Sequence, residues 1–103
     1  MTDRQRKLRE FLQEKPEDAF LNYALAESLA SEGDLDAAVD RLNLLLGLHP
    51  THAPAYLRKG MFLVELGRED EARATLEAGI PVARTGGDEH AAGEMQGVLD
   101  TID

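Results

Sequence analysis

The chain contains no cysteine and no tryptophan, and aromatic residues make up only 5% of its 103 residues. Without cysteine there are no disulfides, thiol nucleophiles or thiolate metal ligands. Valine and isoleucine together number 6, whereas alanine (14) and leucine (16) together number 30. Because strands favour β-branched and aromatic side chains and helices favour alanine and leucine, this composition argues against a sheet and predicts an all-α fold.

Long apolar runs are also absent from the sequence. No stretch approaches the ~20 apolar residues that cross a membrane, and no signal-peptide run follows the basic start, so we expect a soluble, cytoplasmic protein. The net charge of -9 repels phosphate groups, and we therefore expect no binding to nucleic acid or to membranes. Residues 1–15 carry five basic and three acidic residues. This basic segment is either a solvated helix face or a docking element for an acidic surface.

Several alanine and leucine residues, and the proline and glycine residues that end helices, recur at an interval of 34 positions. The pairs are Pro16 and Pro50, Ala19 and Ala53, Ala26 and Gly60, Leu29 and Leu63, Gly33 and Gly67, Ala38 and Ala72, and Leu42 and Leu76. Agreement of this many pairs at one offset indicates an internal repeat.

Each repeat unit reads as two helices separated by a glycine. In the first unit Asp18 is a candidate N-cap, Gly33 ends the first helix with a positive φ, and Asp34 caps the second. The second unit copies this layout, and its last helix is predicted from Glu69 to about Val82. We expect Pro81 to kink that helix or to end it early.

Small residues at matching positions predict a close approach of the two helices in each unit. Glycine within a helix costs roughly 1 kcal/mol relative to alanine, so Gly60 needs a packing reason. The short connection permits an antiparallel pair, and we predict contacts of Ala26 with Ala38 and of Gly60 with Ala72.

This pattern resembles the tetratricopeptide repeat, a 34-residue helix–turn–helix unit. The residues that carry the resemblance are Asn22, Leu25, Ala26, Leu29, Ala38, Leu42 and Pro50, then Tyr56, Lys59, Gly60, Leu63, Ala72 and Leu76. Asn22 stands where the family has an aromatic residue, Lys59 where it has leucine, and Arg84 where a third proline belongs. The resemblance implies a short right-handed α-solenoid of antiparallel helix pairs.

The ends of the chain fit the same period. Leu8 aligns with Leu42, Leu12 with Leu46 and Pro16 with Pro50. We therefore expect one domain over residues 1–103 with about six helices. Its parts are an N-terminal half-repeat helix at 3–15, repeat 1 at 18–50, repeat 2 at 51–84 and a C-terminal capping helix at 88–102, which needs a polar outer face for solubility.

In the family the first helix of each repeat lines a concave groove. The resemblance places eight residues on that side: Phe20, Tyr23, Glu27 and Ala30, then Pro54, Leu57, Met61 and Val64. The candidate partner-binding residues are Phe20, Tyr23, Glu27, Leu57, Met61 and Val64, here called the groove face. Two other interpretations stay open: the N-terminal helix covers part of this face, or Phe20 and Tyr23 belong to the core between repeats.

Other kinds of site receive little support. The clamp with which some tetratricopeptide proteins hold a chaperone's terminal carboxylate needs lysine and asparagine where this chain has Tyr23 or Leu57 and Glu27 or Met61. His49 and His52 are separated by Pro50 in a turn, which favours ordinary turn histidines over a metal pair. We find no nucleophile–base pair and no phosphate loop, and we expect no enzyme activity, metal or cofactor.

Three functions use the predicted groove. The first is a non-catalytic protein-interaction module, a small acidic adaptor that binds a peptide or helical segment there. The second is a self-assembling structural subunit that forms a homodimer through the groove. The third is a small acidic holdase-type chaperone, which depends on fold analogy alone.

Overall fold

Six α-helices joined by short turns make up residues 1–102, the part of the chain that this computed structural model describes. The helices are α1 (Asp3–Glu14), α2 (Ala19–Ser31), α3 (Leu35–Leu48), α4 (Ala53–Glu65), α5 (Glu69–Thr85) and α6 (Glu89–Ile102). The described residues contain no strand, and each helix packs against the next along the chain. This order is that of a helical solenoid.

The predicted helix starts at aspartate residues are confirmed. Carboxylate Oδ1 atoms accept the backbone N–H three residues on, at 2.8 Å for Asp18, 3.2 Å for Asp34 and 3.0 Å for Asp88. In α4 the same role falls to His52, whose Nδ1 accepts the N–H of Ala55 at 3.3 Å. Each cap satisfies a backbone donor that the first helical turn leaves without a partner.

The predicted glycine stops are also confirmed. Gly33 has φ 85° and Gly67 has φ 77°, which is the left-handed conformation that glycine adopts without steric cost. Each of these residues turns the chain between the two helices of a pair, after α2 and after α4.

Of the two effects expected of Pro81, an early end of its helix is wrong, because α5 continues through it to Thr85, while a kink stays a prediction. Ile80 and the fully buried Ala83 lie on either side of the proline and pack against α6 residues. Burial of these side chains favours continuation of the helix although proline lacks an N–H donor. The helix ends instead before Gly86 and Gly87, the latter with φ 79°.

The apolar core consists of two clusters that succeed one another along the stack. The first joins α1 to α4 and extends to Ala72 of α5, with Leu25, Leu42 and Leu63 fully buried. The second joins α4, α5 and α6 around Leu76 and Met95. Neighbouring helix pairs therefore share their core, as in other solenoids.

The small residues at the repeat positions lie deep in this core. Ala26 and Ala38 have no exposed surface. A Cβ placed on Gly60 would lie 2.7 Å from Cγ of Leu76, which is too close for any real contact. Leu76, one turn beyond Ala72, therefore fills the space that Gly60 leaves open, while the Gly60–Ala72 contact stays a prediction.

Asn22 and Tyr56, which occupy equivalent positions in the two repeats, both bind the carbonyl of the proline six residues earlier. The Nδ2 of Asn22 donates to the Pro16 oxygen at 3.0 Å, and the Tyr56 hydroxyl donates to the Pro50 oxygen at 2.7 Å. The side chain of each residue thus fixes the turn that leads into its own helix.

Candidate partner-binding groove

Residues of α2 and the start of α4 meet along the groove face. The rings of Tyr23 and His52 lie 5.4 Å apart between centroids, at an angle of 41°. One turn further along, Oε1 of Glu27 accepts a hydrogen bond from Nε of Arg58 at 2.7 Å. These contacts join the first helix of one repeat to the start of the first helix of the next, so that the two repeats form one surface at their junction.

The apolar members of the groove face are neither core nor fully solvated. Tyr23, Leu57, Met61 and Val64 are all partly buried. Tyr23 and Val64 pack against the first core cluster and Leu57 against the second. The core therefore holds the inner atoms of Tyr23, Leu57 and Val64, while their outer atoms stay available for a partner, as at protein-recognition surfaces.

Phe20 occupies a different place from the other members. It is 75% exposed, so the N-terminal helix does not cover it. Its ring lines depressions between α1 and α2, beside Lys7 and Phe11. The structure therefore places Phe20 at the N-terminal end of the surface, beside α1.

Arg58 is a component of this surface that sequence reasoning did not select. Besides its ion pair with Glu27, its Nη1 lies 3.6 Å from Sδ of Met61, and its guanidinium carbon lies 4.8 Å from the centre of the Phe62 ring. A guanidinium held by a carboxylate and stacked on an aromatic face keeps a fixed orientation. Because Glu27 and Arg58 are 31 positions apart, the repeat period of 34 does not bring them into register, and the sequence offered no direct signal.

Burial and the neighbouring charges both act on the pKa of the Tyr23 hydroxyl. Burial raises the Tyr23 pKa above 10.0, the negative charges of Glu27 and Glu94 raise it further, and Arg58 opposes them. α6, which carries Glu94, packs against α4 as well as α5. The Tyr23 hydroxyl is therefore available as a neutral hydrogen-bond donor beside apolar surface.

The two turn histidines serve separate structural roles. His49 donates from Nε2 to the Glu17 carbonyl at 2.6 Å, while His52 uses Nδ1 to cap α4. Burial lowers the His52 pKa, which agrees with a neutral ring that accepts a hydrogen bond. Across residues 1–102 no three histidine, aspartate or glutamate side chains are grouped so as to hold a metal ion. None of the helices in that range is long and apolar enough to cross a membrane.

The sequence matches a family model described as tetratricopeptide repeat over residues 29–93, more than half of the chain. The chain belongs to the tetratricopeptide repeat family. The matched segment includes all of α3, α4 and α5 and therefore contains Leu57, Arg58 and Met61 of the groove. No curated protein matches the sequence.

Solved structures extend the likeness to both ends of the chain. A protein of Bordetella parapertussis is 26% identical over 99% of this chain and 89% of its own, with a TM-score of 0.85. A tetratricopeptide repeat domain protein of Salinibacter ruber is 28% identical over 82% of this chain and 94% of its own, with a TM-score of 0.78. The TPR2B domain of yeast Sti1, solved in a complex with pHsp70, is 21% identical over 95% of this chain and 78% of its own, with a TM-score of 0.89. This last likeness is one of fold alone.

Proposed function

We propose that this tetratricopeptide repeat protein is a small, acidic, cytoplasmic adaptor that binds a peptide or helical segment of another protein along the groove face. The observation that carries the proposal is the junction of α2 with α4. There Tyr23, Leu57 and Met61 present partly buried apolar surface around one fixed ion pair. This surface is held in place by the parts of the predicted domain, which are repeat 1 at 18–50, repeat 2 at 51–84 and the terminal helices at 3–15 and 88–102.

Apolar side chains anchored in a core lose little further freedom when a partner covers them. The conformational entropy that binding usually costs is therefore small for Leu57 and Val64, which already pack on the core clusters. Met61 adds an unbranched and polarisable side chain that adapts to partners of different shape. We expect these residues to supply most of the affinity.

The Glu27–Arg58 pair gives the groove a preference for particular charges. Arg58 already has one carboxylate, so an acidic partner residue must compete with Glu27, and Glu94 adds negative potential on the α6 side. We therefore expect the partner segment to be apolar, with basic or neutral polar flanks. Chaperone tails that end in a carboxylate do not fit this pattern.

The polar groups of the groove are engaged in structural roles, and we propose a function that is not catalytic. Glu27 is bound to Arg58, the hydroxyl of Tyr23 stays protonated, and the acceptor nitrogen of His52 is occupied by a backbone N–H. General acid–base chemistry requires a group that is free to exchange a proton near neutral pH.

The proposal is tested by selecting binders from a displayed library of random peptides on the wild-type protein. The selected peptides are then measured against the double variant Tyr23→Glu/Met61→Lys. We expect its affinity to fall by at least about tenfold, because the two charges would be buried against an apolar partner.

A matched control distinguishes the groove from general surface effects. The variant Leu44→Glu/Leu48→Lys makes the same kinds of change at exposed leucines of α3 and should leave peptide affinity unaltered. Circular dichroism must show that both variants stay helical. Equal affinity of all three proteins for the peptides would exclude the groove face as the binding site.

The two other predicted functions depend on the same face and have their own readouts. Homodimerisation through the groove would give a mass that rises to that of a dimer in light scattering and would be lost in Tyr23→Glu/Met61→Lys. Holdase activity would suppress aggregation of an unfolded client protein, with the same sensitivity to these substitutions.

A further inference from the structure

Arg9 of α1 and Arg41 of α3 line the same two depressions on the surface of the protein. The smaller depression, of about 310 Å³, is completed by Leu12 and Gln13. The larger one, of about 340 Å³, is completed by apolar residues and by Asp40. Among residues 1–102, those that line the two depressions include no member of the groove face. This pair of arginines therefore belongs to a separate surface.

The two guanidinium groups have no carboxylate partner in the described chain. Within residues 1–102, neither Arg9 nor Arg41 forms an ion pair. Arg58, Arg68 and Arg84, by contrast, each pair with a glutamate. The protein carries 20 acidic residues against 11 basic ones, so carboxylates are plentiful elsewhere. Two arginines that share a depression without one leave a local excess of positive charge.

The side chain of Arg9 leaves its hydrogen-bonding capacity unused. Within the described residues it forms no hydrogen bond, and its Nε is buried without a partner. A guanidinium group has five N–H donors, and donors that lack an acceptor cost stability. An acceptor that binds beside Arg9 from outside the chain would therefore meet little competition from the protein.

A neutral partner holds Arg41 in place. Its Nη1 donates to Oδ1 of Asn22 at 3.0 Å, and Asn22 is itself fixed by hydrogen bonds to the Pro16 and Asp18 carbonyls. An amide oxygen orients a guanidinium group without cancelling its charge. Burial lowers the pKa of Arg41 below its ordinary value, and the positive charge of Arg9 lowers it further. The repulsion between the two arginines is thus not relieved by Asn22.

Asp40 does not neutralise this pair of arginines. Its side chain is exposed and, within residues 1–102, forms no ion pair with either of them. Its negative charge instead raises the pKa of Arg68. The smaller depression has only Arg9, Arg41, Leu12 and Gln13 as its described lining residues, so no carboxylate lies in its wall. It is therefore the better place for an anion.

We infer that the smaller depression binds a single phosphate group between Arg9 and Arg41, with the amide of Gln13 as a further donor. A phosphate group carries about two negative charges near neutral pH and offers three acceptor oxygens, which matches two guanidinium groups and one amide. Arginine also binds phosphate oxygens through paired N–H donors. A polyanion would face the rest of a protein of net charge -9, whereas one small group meets only the arginines.

The test titrates the wild-type protein with inorganic phosphate at constant ionic strength, with chloride as the balancing ion, and follows the backbone amide signals by NMR. We expect saturable shifts around Arg9 and Arg41. Arg9→Gln should bind phosphate at least about tenfold more weakly, because one of two charge-assisted contacts is lost. Arg4→Gln is the matched control, since it removes the same charge from an exposed position of the same helix, and its affinity should stay unaltered.

A second variant keeps the test decisive if Arg9→Gln folds poorly. Gln13→Glu changes an exposed side chain to one of nearly equal shape and supplies the carboxylate that the depression lacks. Its affinity for phosphate should also fall at least about tenfold. Thermal unfolding gives an independent readout, because phosphate should raise the midpoint of the wild type and of Arg4→Gln but not that of Gln13→Glu.

Peptides distinguish the two sources of a phosphate group. If a peptide with one phosphoserine binds more tightly than inorganic phosphate, and its unphosphorylated form does not bind here, the site receives a phosphorylated protein. Equal or weaker binding assigns the site to free phosphate. The inference is overturned if phosphate causes no saturable shift in the wild type, if singly charged acetate binds as tightly, or if neither Arg9→Gln nor Gln13→Glu weakens phosphate binding.

Discussion

The two helix pairs of this protein hold the same turn with different chemistry. In the first pair, Asn22 has no exposed surface, and its amide nitrogen donates to both Pro16 and Asp18 carbonyls at 3.0 and 2.9 Å. Its Oδ1 accepts from Arg41 of α3 at 3.0 Å. In the second pair, Tyr56 makes one such bond, from its hydroxyl to Pro50.

The difference shows which property of this position the fold requires. Both residues bind the carbonyl of the proline six positions earlier, so an amide replaces an aromatic ring without loss of that link. The packing around them differs. A Cβ on Gly79 would lie 2.9 Å from Cγ of Tyr56, so the ring is accommodated by the absence of a side chain on α5. The first pair depends on polar contacts here and the second on close packing.

The largest effect is expected when the polar contacts of the first pair are removed. Asn22→Leu keeps a similar volume but leaves the Pro16 carbonyl and the Arg41 guanidinium without their buried partner. We expect the free energy of unfolding to fall by about 2–3 kcal/mol, the cost of leaving such groups unsatisfied. Urea denaturation measures it. A loss within experimental error would show that the three hydrogen bonds contribute no net stability.

A somewhat smaller effect is expected from close packing in the second pair. Gly60→Ala improves helix propensity but forces Leu76 to move, and we expect a net loss of about 1–2 kcal/mol. Gly93→Ala is the matched control, because open space surrounds that position, and it should gain up to about 1 kcal/mol. Thermal unfolding compares the two. A gain of equal size in both would mean that Leu76 yields without cost.

The third effect concerns the single hydrogen bond of the second pair. Tyr56→Phe removes the donor to Pro50 but keeps the ring beside Gly79, and we expect a loss of about 0.5–1 kcal/mol. Urea unfolding of both variants would show which substitution, Tyr56→Phe or Asn22→Leu, costs more free energy of unfolding. A larger loss for Tyr56→Phe than for Asn22→Leu would reverse the comparison between the pairs.

The smallest effect is a pH dependence specific to the second pair, where His52 replaces the aspartate cap of the first. Burial lowers the His52 pKa below its ordinary value of 6.5, so the unfolded chain binds this proton more readily than the folded one. The stability contributed by neutral His52 is fully present above 6.5 and is lost as the pH falls toward the lower folded pKa.

The variant His52→Asn checks this because asparagine caps a helix at any pH. Unfolding at about pH 7.5 and about pH 5.5 should show a greater loss of stability in the wild type than in the variant. Identical losses would assign the pH dependence to other groups.

The helix pairs could be predicted from the sequence because their signals are local. Asp18 and Asp34 cap their helices and Gly33 turns the chain, each through contacts within one turn of the backbone. The interval of 34 then predicted the same helix boundaries in the second unit. The continuation of α5 past Pro81 could not be predicted, because it depends on the burial of Ile80 and Ala83 against α6. Tertiary packing there outweighs a local preference.

The candidate groove was predicted only in outline. Period and resemblance together selected Tyr23, Leu57 and Met61, which the structure places at partly buried positions on α2 and α4. Arg58 was not predicted, because its contact with Glu27 depends on how α2 and α4 are shifted along each other and not on the repeat period. The exposure of Phe20 depends on what α1 leaves open, and no local pattern reports that.

The most direct test of the proposed function follows the backbone amide signals of residues 1–102 by NMR while a peptide selected on the wild-type protein is added. We predict that the largest shifts fall on Tyr23, Leu57, Met61 and their helical neighbours, with little change around Leu44 on α3. Shifts confined to the outer surface of α3, or to the surface of α1 around Phe11, would contradict binding in the groove.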